Sequence, residues 1–322
     1  MRLASGSERA TNALLNVGAG TVTLGQPLAA LPYEPCDGPV GQPVRSSWGR
    51  EDFLIAVERT KDYIRAGDIY QVNLAQRFSA PVGGTGFDLY RRLREVSPAP
   101  FAAYLDLRGE MGGVEVLSSS PERFLLADGD HLETRPIKGT RPRGTTPDED
   151  AALARDLATS AKDRAENVMI VDVLRNDLGR VCLPGSVRVP RLCRLERTAA
   201  VQHLVSTVTG RLPPGRDAFD LLAATVPGGS ITGAPKIRAM ELVEGLEPVR
   251  RGPYTGTLCW IGADGAMGSS ILIRTFVADG RRLLLGVGGG ITRRSDPRGE
   301  WEETVVKASG PLRAIGGREV EA

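Results

Sequence analysis

The chain has 322 residues, of which 41% are hydrophobic and 25% are charged, a composition typical of a soluble globular protein with a sizeable core. Its formal net charge is +2 and its basic and acidic residues are interleaved, so charge gives no support for binding to nucleic acid or to a membrane surface. No run of about 18 apolar residues is present, and the N-terminus lacks the apolar stretch of a secretion signal. We therefore expect a cytoplasmic protein built as one large domain or two small ones.

The cysteines and histidines limit the kinds of metal site that are possible. The four cysteines show no CxxC spacing, so reduced, partly buried thiols are the simplest interpretation. His131 and His203 are the only histidines, and any metal site must therefore use mainly oxygen ligands.

The character of the sequence changes near residue 49. Residues 1–48 are rich in glycine, proline and small side chains with weak periodicity, which predicts short strands and loops. The next stretch has the apolar spacing of an amphipathic helix that stops near Gly67. The segment "IYQVNLAQRF" then alternates, with apolar side chains at Val72 and Leu74 and an amide at Gln71, and this pattern predicts a half-buried strand.

Strands and helices then follow in runs. A helix in "FDLYRRLREVS" precedes three strand-like segments, "FAAYLDL", "VEVLSSS" and "ERFLLADGDHLETRPI". The central segment predicts two helices, with Ser160 and Asp163 as N-cap and N3 residues and Gly179 as a stop. More strands follow, then a helix beginning near "GAPKIRAM". Further strand-like segments, which include "GSSILIRTFVA" as one strand, and a last helix in "GEWEETVVK" complete the chain. Because strands come in runs without strict helix alternation, we expect an α+β fold with large antiparallel sheets.

Two pairs of carboxylates have the spacing of residues that share a helix face. Glu300 and Glu303 lie three apart, with Lys307 one further turn along, and Asp163 and Glu166 repeat this spacing on another helix. Each pair alone is equally typical of a solvated helix surface. Together, the two pairs could hold one hard divalent cation, and Mg²⁺ suits them because it needs few protein ligands.

Two glycine-rich segments could approach an anion. The run in "LLLGVGGGITRRSD" lacks the lysine and following hydroxyl of a phosphate loop, so it predicts either a turn or bulge, or a backbone that approaches a carboxylate closely. The segment "GGSITGAPKIRAM" predicts an ordinary helix entry with Pro235 in its first turn. It would also present free N–H groups and Lys236 to an anionic substrate.

Three charged residues stand in unusual local sequences. Lys138 lies between a proline and Gly139 in "TRPIKGTRPRG", and Glu122 lies at a turn in "SSSPERFL", where a solvated glutamate is the plainer interpretation. Arg274 interrupts the apolar segment "ILIRTF", and we expect a buried guanidinium there that needs an anionic partner.

Taken in order, these segments resemble the chorismate-utilising enzymes, which include anthranilate synthase component I, aminodeoxychorismate synthase component I, and the isochorismate and salicylate synthases. The resemblance runs from about Phe53 to Lys307 and includes "GDIYQVNLAQRF", "PIKGTRPRG", "DRAENVMIVDVLRNDLGRV", "PGGSITGAPK" and "GVGGGI". It implies an α+β sandwich of two large antiparallel β-sheets with flanking helices. It also divides the chain into a shortened N-terminal segment (1–48), a chorismate-binding catalytic domain (49–315) and a C-terminal tail (316–322).

The same resemblance implies roles for individual residues. Glu166 and Glu303 would bind Mg²⁺ directly, with Asp163 and Glu300 supporting it through water. The metal would hold the ring carboxylate of chorismate. The residues implied to bind the enolpyruvyl carboxylate are Tyr254, Arg274 and Lys307, with the backbone of Gly288, Gly289 and Gly290. Thr140 and His203 would lie beside the ring, and Glu122 would be the general acid acting on the C4 hydroxyl.

Two positions distinguish the branches of the family. Isochorismate and salicylate synthases carry a water-activating lysine where this chain has Gln71, which disfavours addition of water. Anthranilate synthases typically have alanine at the position of Lys138, whereas aminodeoxychorismate synthases have lysine. The resemblance therefore favours an aminodeoxychorismate synthase component I in 4-aminobenzoate and folate biosynthesis, with Lys138 as a nucleophile that adds to C2. Anthranilate synthase component I and a non-catalytic chorismate-binding subunit are the alternatives.

The sequence also predicts a partner. No cysteine lies in a nucleophile context with a histidine partner, so the chain has no glutaminase of its own. A separate glutamine amidotransferase subunit would supply ammonia.

Overall fold

The computed structural model describes residues 15–18, 21–24, 44–109, 113–198 and 201–316. Most of the predicted N-terminal segment and nearly all of the C-terminal tail lie outside these ranges. The helices are α1 (Arg50–Ala66), α2 (Gly86–Val96), α3 (Pro147–Thr159), α4 (Ala161–Gly179), α5 (Ala218–Thr225), α6 (Lys236–Leu246) and α7 (Pro297–Arg313). The strands are β1 (Leu15–Gly18), β2 (Thr21–Leu24), β3 (Arg45–Ser46), β4 (Gln71–Pro81), β5 (Phe101–Leu107), β6 (Val114–Ser120), β7 (Arg123–Asp128), β8 (His131–Thr134), β9 (Ile137–Pro142), β10 (Arg188–Arg197), β11 (Val201–Arg211), β12 (Gly233–Ala234), β13 (Thr257–Ile261), β14 (Met267–Ile271), β15 (Thr275–Ala278) and β16 (Arg282–Ile291).

Two seven-stranded antiparallel sheets form the body of the described structure. Sheet I has the order β10-β11-β8-β7-β14-β13, and β9 also pairs with β11. Sheet II has the order β12-β4-β16-β15-β6-β5, and β3 also pairs with β4. The strands β1 and β2 form a separate hairpin. The predicted α+β fold with two large antiparallel sheets and flanking helices is confirmed.

Local capping determines where the helices that carry the carboxylate pairs begin. The Ser160 hydroxyl accepts a hydrogen bond from the Asp163 amide at 3.2 Å, as predicted from the sequence of α4. At α7, the carboxylate of Asp296 accepts from the Gly299 amide at 2.8 Å, and Pro297 occupies the first helical position. Both carboxylate pairs therefore lie in the first two turns of their helices, where the helix dipole favours negative charge.

Hydrophobic packing covers one face of each sheet. The helices α4 and α5 pack on sheet I around Leu125, Leu132 and Ile170, which are fully buried. The helices α2 and α7 pack on sheet II around Phe78 and Phe276. A third cluster joins α1, α6 and α7 to β4. These cores fix α4 on one sheet and α7 on the other, so that their N-terminal turns can contribute to one site.

Of the points at which the chain passes between the two sheets, two are adjacent, and each of these carries a residue predicted to act on substrate. The chain crosses from β6 to β7 through Glu122 and from β14 to β15 through Arg274. The crossings are hydrogen-bonded to each other, because the Ile271 amide donates to the Glu122 carbonyl at 3.2 Å and the Ser119 amide donates to the Arg274 carbonyl at 3.1 Å. Arg274 has φ of 50°, a left-handed conformation unusual for a side-chain-bearing residue.

Three predictions about elements are corrected. The strand β4 is buried on both faces over most of its length, rather than half-buried, because β12 and β16 flank it and helices cover it. The glycine run is neither a turn nor a bulge, since Gly288 to Gly290 continue β16 and pair with β4. The apolar segment "GSSILIRTFVA" is not one strand but two, which belong to different sheets. The helix α5, with a capping box at Asp217 and Asp220, was not predicted.

Other features agree with the sequence. The helix α1 ends at Gly67, whose φ of 84° is a left-handed C-cap. Cys182 and Cys193 are buried free thiols and Cys259 is an exposed one, whereas Cys36 lies outside the described residues. None of the described helices is both long and apolar enough to cross a membrane.

Candidate active site

Lys138 projects from β9 at the junction of sheet I with α4. Gly139 follows it with φ of 78°, and a Cβ at this glycine would lie 2.9 Å from the Asp163 side chain, so only glycine allows β9 to pass this close to α4. The half-buried Lys138 Nζ donates to the Ser230 carbonyl at 3.4 Å, a long hydrogen bond. Among the described residues it forms no ion pair.

The electrostatic surroundings of Lys138 are mixed. Burial lowers the pKa of its ammonium below the usual value, and the nearby Lys307 acts in the same direction. The carboxylates of Glu166, Glu122 and Glu303 oppose this effect without cancelling it. A lysine whose pKa is lowered by burial is more readily deprotonated, which is the state that a nucleophilic amine requires.

Glu122 is buried, contrary to the plainer expectation of a solvated glutamate. Burial raises the pKa of its carboxyl to about 7, although Lys138, the Ile137 amide and the Ser230 hydroxyl all favour the charged form. A carboxyl group that is still partly protonated near neutral pH can donate a proton to a leaving group. The structure thus places a candidate general acid beside a candidate nucleophile.

The carboxylates of α4 lie next to this pair. Glu166 is half-buried and its Oε1 atom has no hydrogen-bond partner, while burial raises the pKa of its carboxyl. Asp163, one turn earlier, accepts a hydrogen bond from Arg141 Nη2 at 3.3 Å. Lys138 and Lys162 both favour the charged form of Glu166. These two carboxylates therefore share a face, as predicted, and that face points toward Lys138.

The carboxylates of α7 approach from sheet II. Glu300 is buried, and burial raises its pKa. Glu303 is more exposed; partial desolvation acts to raise its pKa, but Lys307 and other nearby lysines together lower it. Glu303 Oε1 lies 2.6 Å from Lys307 Nζ, which also donates to the Gly288 carbonyl at 3.0 Å. A Cβ at Gly289 would lie 2.9 Å from Glu300 Oε2, so this glycine lets α7 approach β16.

The four carboxylates can be tested for their fit to a divalent cation. In the described part of the chain, no three His, Cys, Asp or Glu side chains converge as they would around a metal held by protein ligands alone. Mg²⁺ commonly uses only one or two carboxylates and completes its shell with water and substrate. The unpartnered Oε1 atom of Glu166, and its electrostatic coupling to Glu303, fit such a site.

A second group of predicted residues meets at the edge of β11. The Thr140 hydroxyl and His203 Nδ1 lie 2.9 Å apart across the pairing of β9 with β11. Burial lowers the pKa of His203, and Arg274 lowers it further, which shows that Arg274 lies near the ring. Arg274 is exposed by surface area, which contradicts the prediction of a buried arginine, although partial desolvation still lowers the pKa of its guanidinium. It has no ion-pair partner among the described residues, and its guanidinium is free to meet an anion.

Tyr254 lies on sheet II beside the glycine run. Its ring is buried over Gly286, where a Cβ would occupy the position of the ring. Burial raises the pKa of its hydroxyl to about 12, and Arg251 and the facing Asn73 amide oppose this effect. Asn73 also lies 2.9 Å from the position of a Cβ on Gly288. Tyr254 and Gly288 are therefore close neighbours, as the predicted carboxylate subsite requires.

The structure does not bring Lys236 to this group. Its Nζ lies 2.6 Å from Asp177 Oδ2 and 3.0 Å from the Thr225 carbonyl. Asp177 is eleven residues beyond Glu166 on α4, a separation of roughly 16 Å along the helix axis. This lysine pairs with a buried carboxylate, and its predicted contact with substrate remains a prediction.

Two residues of the site, Ser230 and Lys162, were not predicted from the sequence. Ser230 contacts both candidate catalytic groups, through its carbonyl to Lys138 and its hydroxyl to Glu122. Lys162 acts electrostatically on Glu166, Glu300 and Glu303. Ser230 lies in the quoted segment "PGGSITGAPK", but a serine in a glycine-rich loop gives no local signal of what it touches.

Comparison with known proteins identifies the family. The model of the chorismate binding enzyme family matches residues 9–313. Aminodeoxychorismate synthase component 1 of Escherichia coli (strain K12) is 47% identical over 271 residues, which cover 84% of this chain and 59% of that protein. Anthranilate synthase component 1 of Thermus thermophilus is 46% identical over 289 residues, which cover 90% of this chain and 61% of that protein.

The fold has matches among solved structures. The crystal structure of anthranilate synthase component I from Streptococcus pneumoniae TIGR4 matches with a TM-score of 0.77 and 37% identity, covering 85% of this chain and 60% of that one. This chain spans about three fifths of the length of the two curated relatives named above. Sequence and fold agree, and the chain belongs to the chorismate-binding enzyme family.

Proposed function

We propose that this chain aminates chorismate at C4 to give 4-amino-4-deoxychorismate, as the synthase component of an aminodeoxychorismate synthase. The observation that carries the proposal is the position of Lys138. Its amine has a pKa lowered by burial, makes no ion pair among the described residues, and lies beside the buried acid Glu122. A surface lysine would have neither the lowered pKa nor the buried acid beside it.

The first chemical step forms a covalent adduct. The neutral amine of Lys138 attacks C2 of the ring, and the C1–C2 double bond moves to C1–C6. The C5–C6 double bond moves to C4–C5, and the C4–O bond breaks. Glu122 gives its proton to the departing hydroxyl, which leaves as water, and the lysine nitrogen loses a proton.

The second step reverses this shift with a different nucleophile. Ammonia attacks C4, the two double bonds return to C5–C6 and C1–C2, and the C2–N bond to Lys138 breaks. Lys138 leaves as the free amine after its nitrogen regains a proton, and the incoming nitrogen loses one. The ionised Glu122 is placed to accept a proton at this stage, which restores the acid for the next cycle.

The charged residues around the pair would hold the substrate dianion. Arg274 and Lys307 supply positive charge for the enolpyruvyl carboxylate, together with the Tyr254 hydroxyl. Mg²⁺ bound by Glu166 and Glu303, with Asp163 and Glu300 acting through its water ligands, would neutralise the ring carboxylate.

The proposal includes a partner and a pathway. Two relatives are named as a component 1, which supports a second component. We expect that component to be a glutamine amidotransferase that delivers ammonia, with the product serving 4-aminobenzoate and folate biosynthesis in the cytoplasm.

Product analysis tests the proposal directly. Purified chain would be incubated with chorismate, Mg²⁺ and ammonium, and the products separated by mass and retention with and without an added lyase. We expect a non-aromatic amino acid that yields 4-aminobenzoate only when the lyase is present. Consumption of chorismate without an aminated product would contradict the proposal.

Anthranilate formation is the second candidate. The observation in its favour is that the anthranilate synthase relative is 46% identical, almost as similar as the aminodeoxychorismate synthase relative at 47%. Anthranilate and pyruvate in the same assay would establish it. Chorismate binding with no turnover of any kind would point instead to a non-catalytic subunit.

A further inference from the structure

Three arginines on the edge strand β10 project from the same face of sheet I. Arg188, Arg191 and Arg194 are three residues apart, a spacing that alternates between the two faces of a regular strand. In this structure β10 pairs with β11 through two register shifts, so the arginines oppose alternate residues of β11, namely Thr209, Thr207 and Val205. Residues that oppose each other across two strands share a face, and the shifts therefore align these side chains as an arginine row with a spacing of about 7 Å.

A residue with an unusual backbone conformation lies at the second of these shifts. Cys193, between Arg191 and Arg194, has φ of 49°, a left-handed conformation that is uncommon for a residue with a side chain. It is buried on the α4 side of the sheet, where its Sγ atom lies 3.6 Å from Asn167 Oδ1 and its amide donates to the Ser206 hydroxyl at 2.8 Å. Because Cys193 is turned inward, Arg194 returns to the outer face, and packing against α4 holds the row in place.

The row carries charge that the described residues do not neutralise. All three of its side chains are exposed. Arg191 and Arg194 form no hydrogen bond or ion pair with a described residue, and Arg188 donates, among those residues, only to the Val187 carbonyl at 3.2 Å. Because a guanidinium stays protonated in proteins, the row is a permanent line of positive charge.

Two carboxylates adjoin the row in the strand pairing, and each is paired with a different arginine. Glu196, which opposes His203, lies 2.5 Å from Arg135. Glu133, on β8 beyond β11, lies 3.2 Å from Arg123. Neither carboxylate is therefore a counter-charge for the row.

The row ends at the candidate active site. Val205, which opposes Arg194, is two residues from His203 on the same face of β11. His203 meets Thr140 there, and the exposed side chain of Arg274 lies near its ring. From this point the row extends about 20 Å along β11.

We propose that the arginine row guides the dianionic substrate along the edge of sheet I to the mouth of the active site at His203 and Arg274. The inference rests on the proposed function only for the identity of that dianion, chorismate. A line of like charges on a protein surface raises the local concentration of a counter-ion, and a free guanidinium suits a carboxylate because it offers two parallel N–H donors. The row therefore lowers the Kd for chorismate without contacting the bound molecule.

Single charge reversals test the row because its members lie at increasing distances from the site. The Kd for chorismate would be determined by calorimetric titration of full chain, with Mg²⁺ at a fixed concentration and no ammonium. At about 0.05 M ionic strength the Debye length is roughly 14 Å, and we expect Arg194→Glu to raise the Kd about fivefold and Arg191→Glu about twofold. At about 0.5 M both differences should disappear because the charges are screened. The melting temperatures should match wild type, since only exposed side chains are changed.

Arg281 provides a matched control on the other sheet. It is exposed like the members of the row, and it directly precedes β16, about 23 Å along the strand from Gly288. Arg281→Glu makes the same change in net charge as each variant of the row. It should leave the Kd for chorismate unchanged at both ionic strengths.

Several results would contradict the inference. A loss of affinity in Arg194→Glu that persists at about 0.5 M would mean that this side chain contacts substrate or supports the fold, and would overturn the guiding role. An equal loss in Arg281→Glu would attribute the effect to net charge alone. A wild-type Kd that does not change with ionic strength, or no binding of chorismate at all, would also overturn it.

The same titrations separate this inference from the proposed function. If the variants show the graded, salt-dependent loss of affinity but wild-type chain forms no aminated product from ammonium, the proposed function fails and the role of the row stands.

Discussion

Lys138 and Lys236 both have carboxylates nearby, but only Lys236 forms a close ion pair. This difference distinguishes a lysine that is available for reaction from one that stabilises the fold. Lys236 Nζ lies 2.6 Å from the carboxylate of Asp177, which is 1% exposed, and also donates to a backbone carbonyl at 3.0 Å. Lys138 has a single 3.4 Å hydrogen bond to a carbonyl and no ion pair among the described residues.

The difference shows what makes a buried lysine available for reaction. A single close carboxylate holds an ammonium in its charged form and in one place, which stabilises a fold but hinders nucleophilic attack. Around Lys138 the carboxylates do not form an ion pair with the ammonium and only partly offset the effect of burial, so the pKa of Lys138 lies below its usual value. The presence of nearby carboxylates therefore does not by itself show whether a lysine is catalytic or structural. The distance to those carboxylates and their number decide between the two roles.

The largest expected effect comes from Lys138→Ala. Loss of the nucleophile should reduce kcat for amination with ammonium by on the order of 10⁴-fold, because the amine that forms the adduct is removed. The melting temperature should change little, since only a long hydrogen bond is lost. Product formation and thermal unfolding measured on the same sample check both expectations.

Intact-mass measurement distinguishes a covalent role of Lys138 from a merely electrostatic one. Mass spectrometry of intact wild-type chain quenched with chorismate and no ammonium should reveal the ring adduct, and the alanine variant should show none. Full activity of Lys138→Ala with ammonium would remove the covalent role and favour direct amination.

Glu122→Gln should have the next largest effect. It removes the acid that protonates the C4 hydroxyl, and general acids typically contribute on the order of 10²–10⁴-fold. The pKa of Glu122 is raised to about 7, so its protonated fraction falls as pH rises above that value. The wild-type rate should therefore decline on the alkaline side of this value.

The pH profile of the variant provides the check. Glutamine does not titrate, so the alkaline decline should be absent from the residual activity of Glu122→Gln. If the variant keeps the same decline, the titrating group is another residue, and Glu122 does not act as the acid.

The parts of this structure that follow local rules could be predicted from the sequence. The helices α1, α4 and α7 have periodic apolar residues and capping signals, and the Ser160 cap on α4 occurs as predicted. The spacing of Glu300 and Glu303 places them on one face for the same reason. Each of these features is encoded within a few turns of chain, where sequence spacing determines geometry directly.

The parts that depend on distant contacts could not be predicted. The segment around Arg274 has the composition of one continuous apolar strand, and nothing local indicates that it leaves sheet I for sheet II and exposes the guanidinium. The partner of Lys236 lies 59 positions away, and a glycine-rich helix entry offers no means of choosing it. Ser230 meets Lys138 through a backbone carbonyl, a group that every residue has.

The smallest of the three effects is expected for Lys236→Met, a change in the second of the two lysines. Removing one partner of a buried ion pair should cost about 3 kcal/mol of unfolding free energy, because the Asp177 carboxylate stays buried without a counter-charge. The loss should shrink at low pH, where Asp177 can protonate; its pKa is already raised by burial and is held down by Lys236. Denaturant unfolding at two pH values measures both. If Lys236→Met instead keeps its stability and loses affinity for chorismate, the lysine binds substrate as its sequence context suggested, and closeness to one carboxylate does not distinguish a structural lysine from a functional one.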